Sequence, residues 1–236
     1  MKPYKYLAGL AMATLTLSGC TNLDETVYDQ ISSNNYFNTK EDVIAMAFRS
    51  FEHGYWTIVP RFRIQELPGD QLIIPRRDGS WDDGGVWRQF HYHTWTPDIA
   101  RHVHDEWDSC FAGIGQCNFA IDRFSELGPA KFGFSEEEFN SLRTQNRVLR
   151  CWYYIRLLDA FRNVPFSVSY DDPSKNSMAQ VPPEFIFNFV ETELKESIPL
   201  LYKKESLGSG SQYANLWTQG GAAALLVRLY LNAKEW

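Results

Sequence analysis

Apolar residues recurring at helical spacing constrain this chain more than any other feature. Trp107, Cys110, Phe111, Ile114, Cys117, Ile121 and Phe124 fall three and four apart, so they line one face of a helix for about five turns. Gly128-Pro129 ends that run,. Ser135, with Glu138 three residues on, reads as the cap of a second helix carrying Phe139, Leu142, Leu149, Trp152, Tyr153 and Leu157,. Asn163-Val164-Pro165 stops it,. Pro182-Pro183 opens a third, with Ile186, Phe189, Val190, Leu194, Ile198 and Leu201 on one face,. Thr39 and Asp42 form an aspartate variant of the capping box before Val43, Ile44, Ala47, Phe48 and Phe51,. A last helix starts near Thr218 and carries Ala222, Leu225, Leu226, Leu229 and Tyr230. No strong two-residue alternation competes with these stripes. The expected fold class is mainly α, with helices in antiparallel, tetratricopeptide-like pairs that bury each other's stripes. Residues 56–100 lack helical periodicity and are expected to form a long irregular loop region, a length usually tied to function or to a missed element,.

The N-terminus reads differently. Lys2 and Lys5 precede an apolar and small-residue stretch from Leu7 to Leu17. That stretch is shorter than the ~20 residues needed to span a bilayer and has the layout of a secretory signal. It ends in Leu17-Ser18-Gly19-Cys20, which resembles the bacterial lipobox. The resemblance implies that residues 1–19 are a lipoprotein signal peptide and that Cys20 carries the lipid, palmitate included. Thr21, rather than Asp, follows Cys20, which leans toward the outer membrane. Residues 20–37, rich in Asn and Ser, read as a lipidated polar tether, and 38–236 as the helical domain. The net charge is −6, which argues against nucleic-acid partners, since phosphate contacts need clustered positive charge,. Beyond Cys20 stand Cys110, Cys117 and Cys151. On a helix the first two would have Cα atoms about 10.5 Å apart, beyond disulfide reach, and all three are expected to be small buried apolar residues.

At the helices a family resemblance enters. Leu149-Arg150-Cys151-Trp152-Tyr153-Tyr154, Leu157, Phe161 and Asn163-Val164-Pro165 resemble the pattern of SusD/RagB outer-membrane nutrient-binding lipoproteins. So do Trp217-Thr218 with the run Ala222 to Ala233, Trp107 with Phe111, Ile114 and Asn118, and the loop Arg77 to Trp87. The chain departs from the pattern at Gln145, where Glu is frequent, at Cys151, where Ala is usual, and at Arg162, where Gly is common. Members usually run to about twice this length, so the resemblance implies a SusD-like N-terminal half, apparently truncated. It also implies a non-catalytic lipoprotein that binds a nutrient glycan or oligosaccharide, without cofactor, and delivers it to a TonB-dependent SusC-like transporter from the cell surface. The alternatives are a structural lid or adaptor of the transporter, and a truncated remnant.

The candidate ligand element is the loop 77–95, with Arg77, Trp81, Asp82, Asp83, Trp87, Tyr92 and Trp95. Aromatic residues make up 15% of the chain. Indoles stack on the C–H faces of sugars, and Arg and Asp pair with hydroxyls. Gly79, Gly84 and Gly85 let the backbone turn,. Trp87 and Trp95 could instead pin the loop to the helices, and Trp81, flanked by small and acidic residues, could be either exposed or packed. His91, His93, His102 and His104 could ligate zinc only if both pairs were facing strands; loop-packing histidines are the plainer reading, and no metal site is expected. Asp82-Asp83 and Glu136-Glu137-Glu138 suit a turn and a helix N-terminus better than a glycosidase pair.

Overall fold

The computed structural model describes residues 37–234 apart from 82, 98–99, 175–176 and 209–215. The signal peptide, Cys20, nearly all of the tether and Asp82 therefore lie outside the described residues. Phe37, grouped with the tether by composition, is buried and belongs to the packed unit.

The first helix is α1, Lys40–Trp56. Its capping box forms as the sequence predicts: the Thr39 hydroxyl accepts from Asp42 N–H (3.1 Å), and Asp42 Oδ2 accepts from Thr39 N–H (2.8 Å). The backbone N–H groups of Asn38 and Thr39 hold the Asp42 carboxyl below the usual range,. The region expected to be an irregular loop contains two helices, α2 (Ile58–Glu66) and the short α3 (Val86–His91). Both escape the periodicity test for physical reasons. In α2 no side chain is buried, while Ile58, Val59 and Phe62 are exposed, so its pattern does not follow a core. Pro60 is tolerated because it falls in the first turn,. At six residues, α3 is too short to show a period.

Two long helices follow: α4 (Ala100–Glu126), then α5 (Glu136–Phe161), capped by the Ser135 hydroxyl. A two-residue antiparallel pairing, Val164–Pro165 with Gln180–Val181, comes next. Then come α6 (Pro183–Ser197), with Pro183 in its first turn, and α7 (Gln219–Leu231), capped by Thr218. The helix α5 packs along both α4 and α6; α1 and α2 lie against α4, and α7 against α6. The described chain is mainly helical, as the stripes require. No helix among the described residues is long and apolar enough to cross a membrane.

The core lies where α4, α5 and α6 meet, around Cys117, Cys151, Leu157, Ile186 and Leu194. All three described cysteines are free and buried, as expected. Burial pushes the Cys117 thiol up to about 12 and raises Cys110 and Cys151 as well, so none is a thiolate nucleophile near neutral pH,. Tyr153, fully buried, joins three helices. Its hydroxyl donates to the Ser50 carbonyl on α1 (3.0 Å), and its ring lies against Gly113 of α4, where a β-carbon would come within 2.2 Å of Cζ. Only glycine allows that approach.

Buried polar groups tie the elements together. Arg156 of α5 donates from Nε and Nη2 to the Glu106 carboxylate of α4 (2.8 and 2.6 Å) and from Nη1 and Nη2 to the side chain and carbonyl of Thr57, between α1 and α2. Both charged side chains are buried. Farther along α5, Arg147 and Arg150 grip Glu193 of α6. Burial opposes the Glu193 charge, but the two guanidiniums outweigh it and hold the carboxyl below its usual range,.

Candidate functional site

The candidate loop is built on a small apolar cluster of its own. Leu67, Val86, Trp87 and Phe90 are buried together, with Ile64, Leu72, Ile74 and Val103 packed against them. Trp87 is the centre of this base. It is 6% exposed, its ring lies 4.8 Å from that of His102, and the Arg63 guanidinium is 5.0 Å above it. Its indole N–H donates to Asp83 Oδ2 at 2.6 Å. The face and the N–H of Trp87 are therefore already occupied. Of the two roles open to it in the sequence, the structure gives it the pinning role and couples Asp83 to that role.

Above this base the backbone turns sharply. Arg77 and Ser80 exchange both backbone hydrogen bonds (3.0 and 2.7 Å) around Asp78 and Gly79, whose φ angles of 46° and 83° have the sign pattern of a tight hairpin turn,. Trp81 itself has φ 64°, Asp83 43°, and Gly84 and Gly85 follow at 69° and 84°. A left-handed tryptophan is a strained conformation, of a kind that concentrates at functional sites. The result is an exposed ring: Trp81 is 66% exposed. Arg77 is exposed beside it, and Asp83 is exposed apart from its bond to Trp87.

Two further aromatics leave the same segment. Tyr92 is 67% and Trp95 46% exposed. Trp95 leans on Phe90 (5.9 Å) and on His93 (5.4 Å), which is itself held by a contact between Nε2 and the Pro68 carbonyl (2.9 Å). Trp95 is thus packed along one part and open along the rest. The histidines are dispersed. His91 Nδ1 is 3.3 Å from Asp70, His93 holds Pro68, His102 stacks on Trp87, and His104 points outward from α4. Among the described residues no group of His, Cys, Asp and Glu could hold a metal ion. The acidic run Glu136-Glu137-Glu138 occupies the first turn of α5, and Glu138 pairs with Lys40 at 2.8 Å.

Sequence reasoning missed the buried charges. Arg150 and Arg156 lie within an aromatic stripe, and nothing local marks them as inward-facing; their partners, Glu193 and Glu106, are 43 and 50 residues away in the chain. It also missed Arg61, which lines a cleft of ≈ 260 Å³ beside Trp95.

No protein-family model matches the chain. The chain is similar to SusD-like protein P2 of Formosa agariphila, with 24% identity over 96% of this chain and 43% of that protein. Among solved structures, a laminarin-binding SusD-like protein superposes with a TM-score of 0.67 at 22% identity, covering 84% of this chain and 41% of that one. Surface glycan-binding protein A of Bacteroides uniformis gives the same TM-score at 18% identity, covering 84% and 43%. A SusD-like protein of Bacteroides fragilis gives 0.64 at 17%, covering 89% and 38%. The fold is thus the SusD-like helical fold, and the resemblance read from the helical motifs holds in both sequence and structure. The chain spans about two fifths of the length of these relatives.

Proposed function

We propose that the chain belongs to a glycan-binding outer-membrane lipoprotein, anchored through lipid on Cys20, that captures an oligosaccharide and passes it to a SusC-like TonB-dependent transporter. One observation carries the reading: three exposed aromatic rings, Trp81, Tyr92 and Trp95, rise from one segment held on a buried base. Flat exposed rings on a pinned support suit sugar C–H faces and lose little freedom on binding. Arg77, Asp83 and the neighbouring Asp82 supply charged partners for hydroxyls. The relatives support the reading, since two of them are named for laminarin or surface-glycan binding. The reading is of binding without bond cleavage, by stacking and hydrogen bonds from this loop.

The test is a titration of the recombinant chain from Thr21 onward with laminari-oligosaccharides and malto-oligosaccharides. Intrinsic tryptophan fluorescence reports binding, and chromatography of the sugars afterwards reports cleavage. Saturable fluorescence change with intact sugars supports the proposal. Shortened sugars would make the protein a glycosidase, and no response to any member of the panel would remove the glycan reading.

A second reading, an adaptor that contacts the transporter without a ligand of its own, is favoured by another observation. Tyr55, Trp56, Ile58, Val59 and Phe62 form a run of exposed apolar side chains at the junction of α1 and α2, the composition expected of a protein contact. Co-purification with the transporter that is lost when Trp56 and Phe62 become Ser, with sugar binding absent throughout, would favour the adaptor.

A further inference from the structure

The cleft between α2, α4 and α5 holds a charge that, among the described residues, has no ion-pair partner. Three guanidiniums, Arg61, Arg156 and Arg228, gather near it with two carboxylates, Glu106 and Asp159. Both carboxylates are taken. Glu106 binds Arg156 in bidentate fashion, and Asp159 accepts from Arg228 at 3.0 Å. Arg61 has neither. Its Nε donates to Gln65 Oε1 (2.8 Å), its Cζ lies 6.0 Å from the centroid of the Trp152 ring, and among the described residues its Nη groups make no hydrogen bond and no ion pair. Burial, reinforced by the charges of Arg228 and Arg156 and partly offset by those of Asp159 and Glu106, pushes this guanidinium down to about 10, so it remains cationic at neutral pH with no carboxylate bonded to it among the described residues,.

The cavity gives that charge a setting. Its volume is ≈ 260 Å³, just below the roughly 300–1,000 Å³ of pockets for drug-sized ligands, so it suits one ring rather than a chain. Trp95 and Phe90 border it on the loop side and Phe161 on the helix side. Gln65 adds an amide that can meet a hydroxyl,. An unpaired planar fork matches a carboxylate in two-point geometry, and the aromatic edges match a sugar face.

We propose that this cleft is a second binding site, for a single carboxylate-bearing sugar residue of the uronic acid class, with the acid group paired to Arg61 and the ring against Trp95. The choice of a sugar rests on the glycan-binding reading above; the choice of an anion rests on the charge census alone.

The test uses sodium D-glucuronate, D-glucose and sodium acetate as probes, by calorimetric titration of the recombinant chain from Thr21 onward. The expected result is millimolar or tighter glucuronate binding that weakens when salt rises from about 50 to about 500 mM. Glucose should bind at least tenfold more weakly than glucuronate. Arg61→Met keeps the apolar stem beside Trp152 and should weaken glucuronate at least tenfold. Arg61→Lys keeps the charge without the fork and should fall between. Trp81→Ala should leave glucuronate binding unchanged, which separates this site from the Trp81 end of the exposed loop, the Trp95 ring being common to both. If no neutral oligosaccharide binds while glucuronate still does, the glycan reading of the loop fails and this site stands. Glucuronate binding that is absent, indifferent to salt, or equal in a folded Arg61→Met protein would overturn the proposal. Acetate binding as tightly as glucuronate would overturn the sugar assignment.

Discussion

Gln145 shows how one atom of difference can matter in a buried position. Its amide reads both backbone groups of Trp217: Trp217 N–H donates to Oε1 (2.7 Å), and Nε2 donates to the Trp217 carbonyl (2.9 Å). This joins α5 to the entry of α7 across a long connection. A glutamate could satisfy both contacts only when protonated. Gln145→Glu should cost about 1–3 kcal/mol at neutral pH, the usual penalty for a buried unmet partner. The neutral acid can donate, so its folded pKa would be raised above the unfolded value. The variant should therefore recover stability as pH falls below the ordinary glutamate range and lose it as pH rises through the raised pKa. Chemical denaturation at acidic and neutral pH would show this, and a penalty independent of pH would contradict it. Arg162 makes the opposite point. It ends α5 at φ 61° and ψ −77°, a conformation costly for a residue with a β-carbon,. Arg162→Gly should stabilise the chain by up to about 1 kcal/mol, read as a higher denaturation midpoint; a lower midpoint would mean that the arginine side chain contributes more than the strain costs. Both positions stood out in the sequence as departures from a pattern. Their reasons were hidden, because a backbone partner 72 residues away and a backbone angle leave no mark on residue type.

At the scale of elements, the helices meet through close approach and through charge. The ring of Tyr153 occupies the space that a side chain at position 113 would need. Gly113→Ala gains about 1 kcal/mol of helix propensity, yet it must move a fully buried ring, which costs about 1–3 kcal/mol or more. The net expected outcome is a lower melting temperature, measured by circular dichroism, and an unchanged one would mean that α1, α4 and α5 are less tightly joined than described. Between α5 and α6 the join is electrostatic. The Glu193 carboxyl is depressed by Arg147 and Arg150, so its contribution is present above the unfolded glutamate value of about 4.3 and is lost as pH falls through the lower folded value,. Glu193→Gln should therefore destabilise at neutral pH and flatten the acid limb of the stability curve; a parallel shift at every pH would contradict this. The long helices were legible because each buries a continuous stripe. The helix α2 was not, since Ile58, Val59 and Phe62 face outward and only Ile64 packs inward, beside Arg61 and Gln65 at the cleft.

For the whole molecule, the candidate site depends on a division of labour along one segment. Trp87 and Phe90 go inward and fix it, while Trp81, Tyr92 and Trp95 remain outside. The sequence showed the density of aromatics and the glycines that turn the chain. It could not sort buried rings from open ones, because that sorting depends on Asp83 capturing the Trp87 N–H and on the left-handed backbone at Trp81. The proposed glycan binding follows from the open set alone, which makes it separable from folding. The most direct measurement is calorimetric titration of the wild-type chain and of Trp81→Ala with whichever neutral oligosaccharide the wild type binds, after matching melts establish that both are folded. An affinity at least tenfold weaker in Trp81→Ala, about 1.4 kcal/mol, is the expected result. Equal affinity would contradict the assignment of the exposed loop as the glycan site.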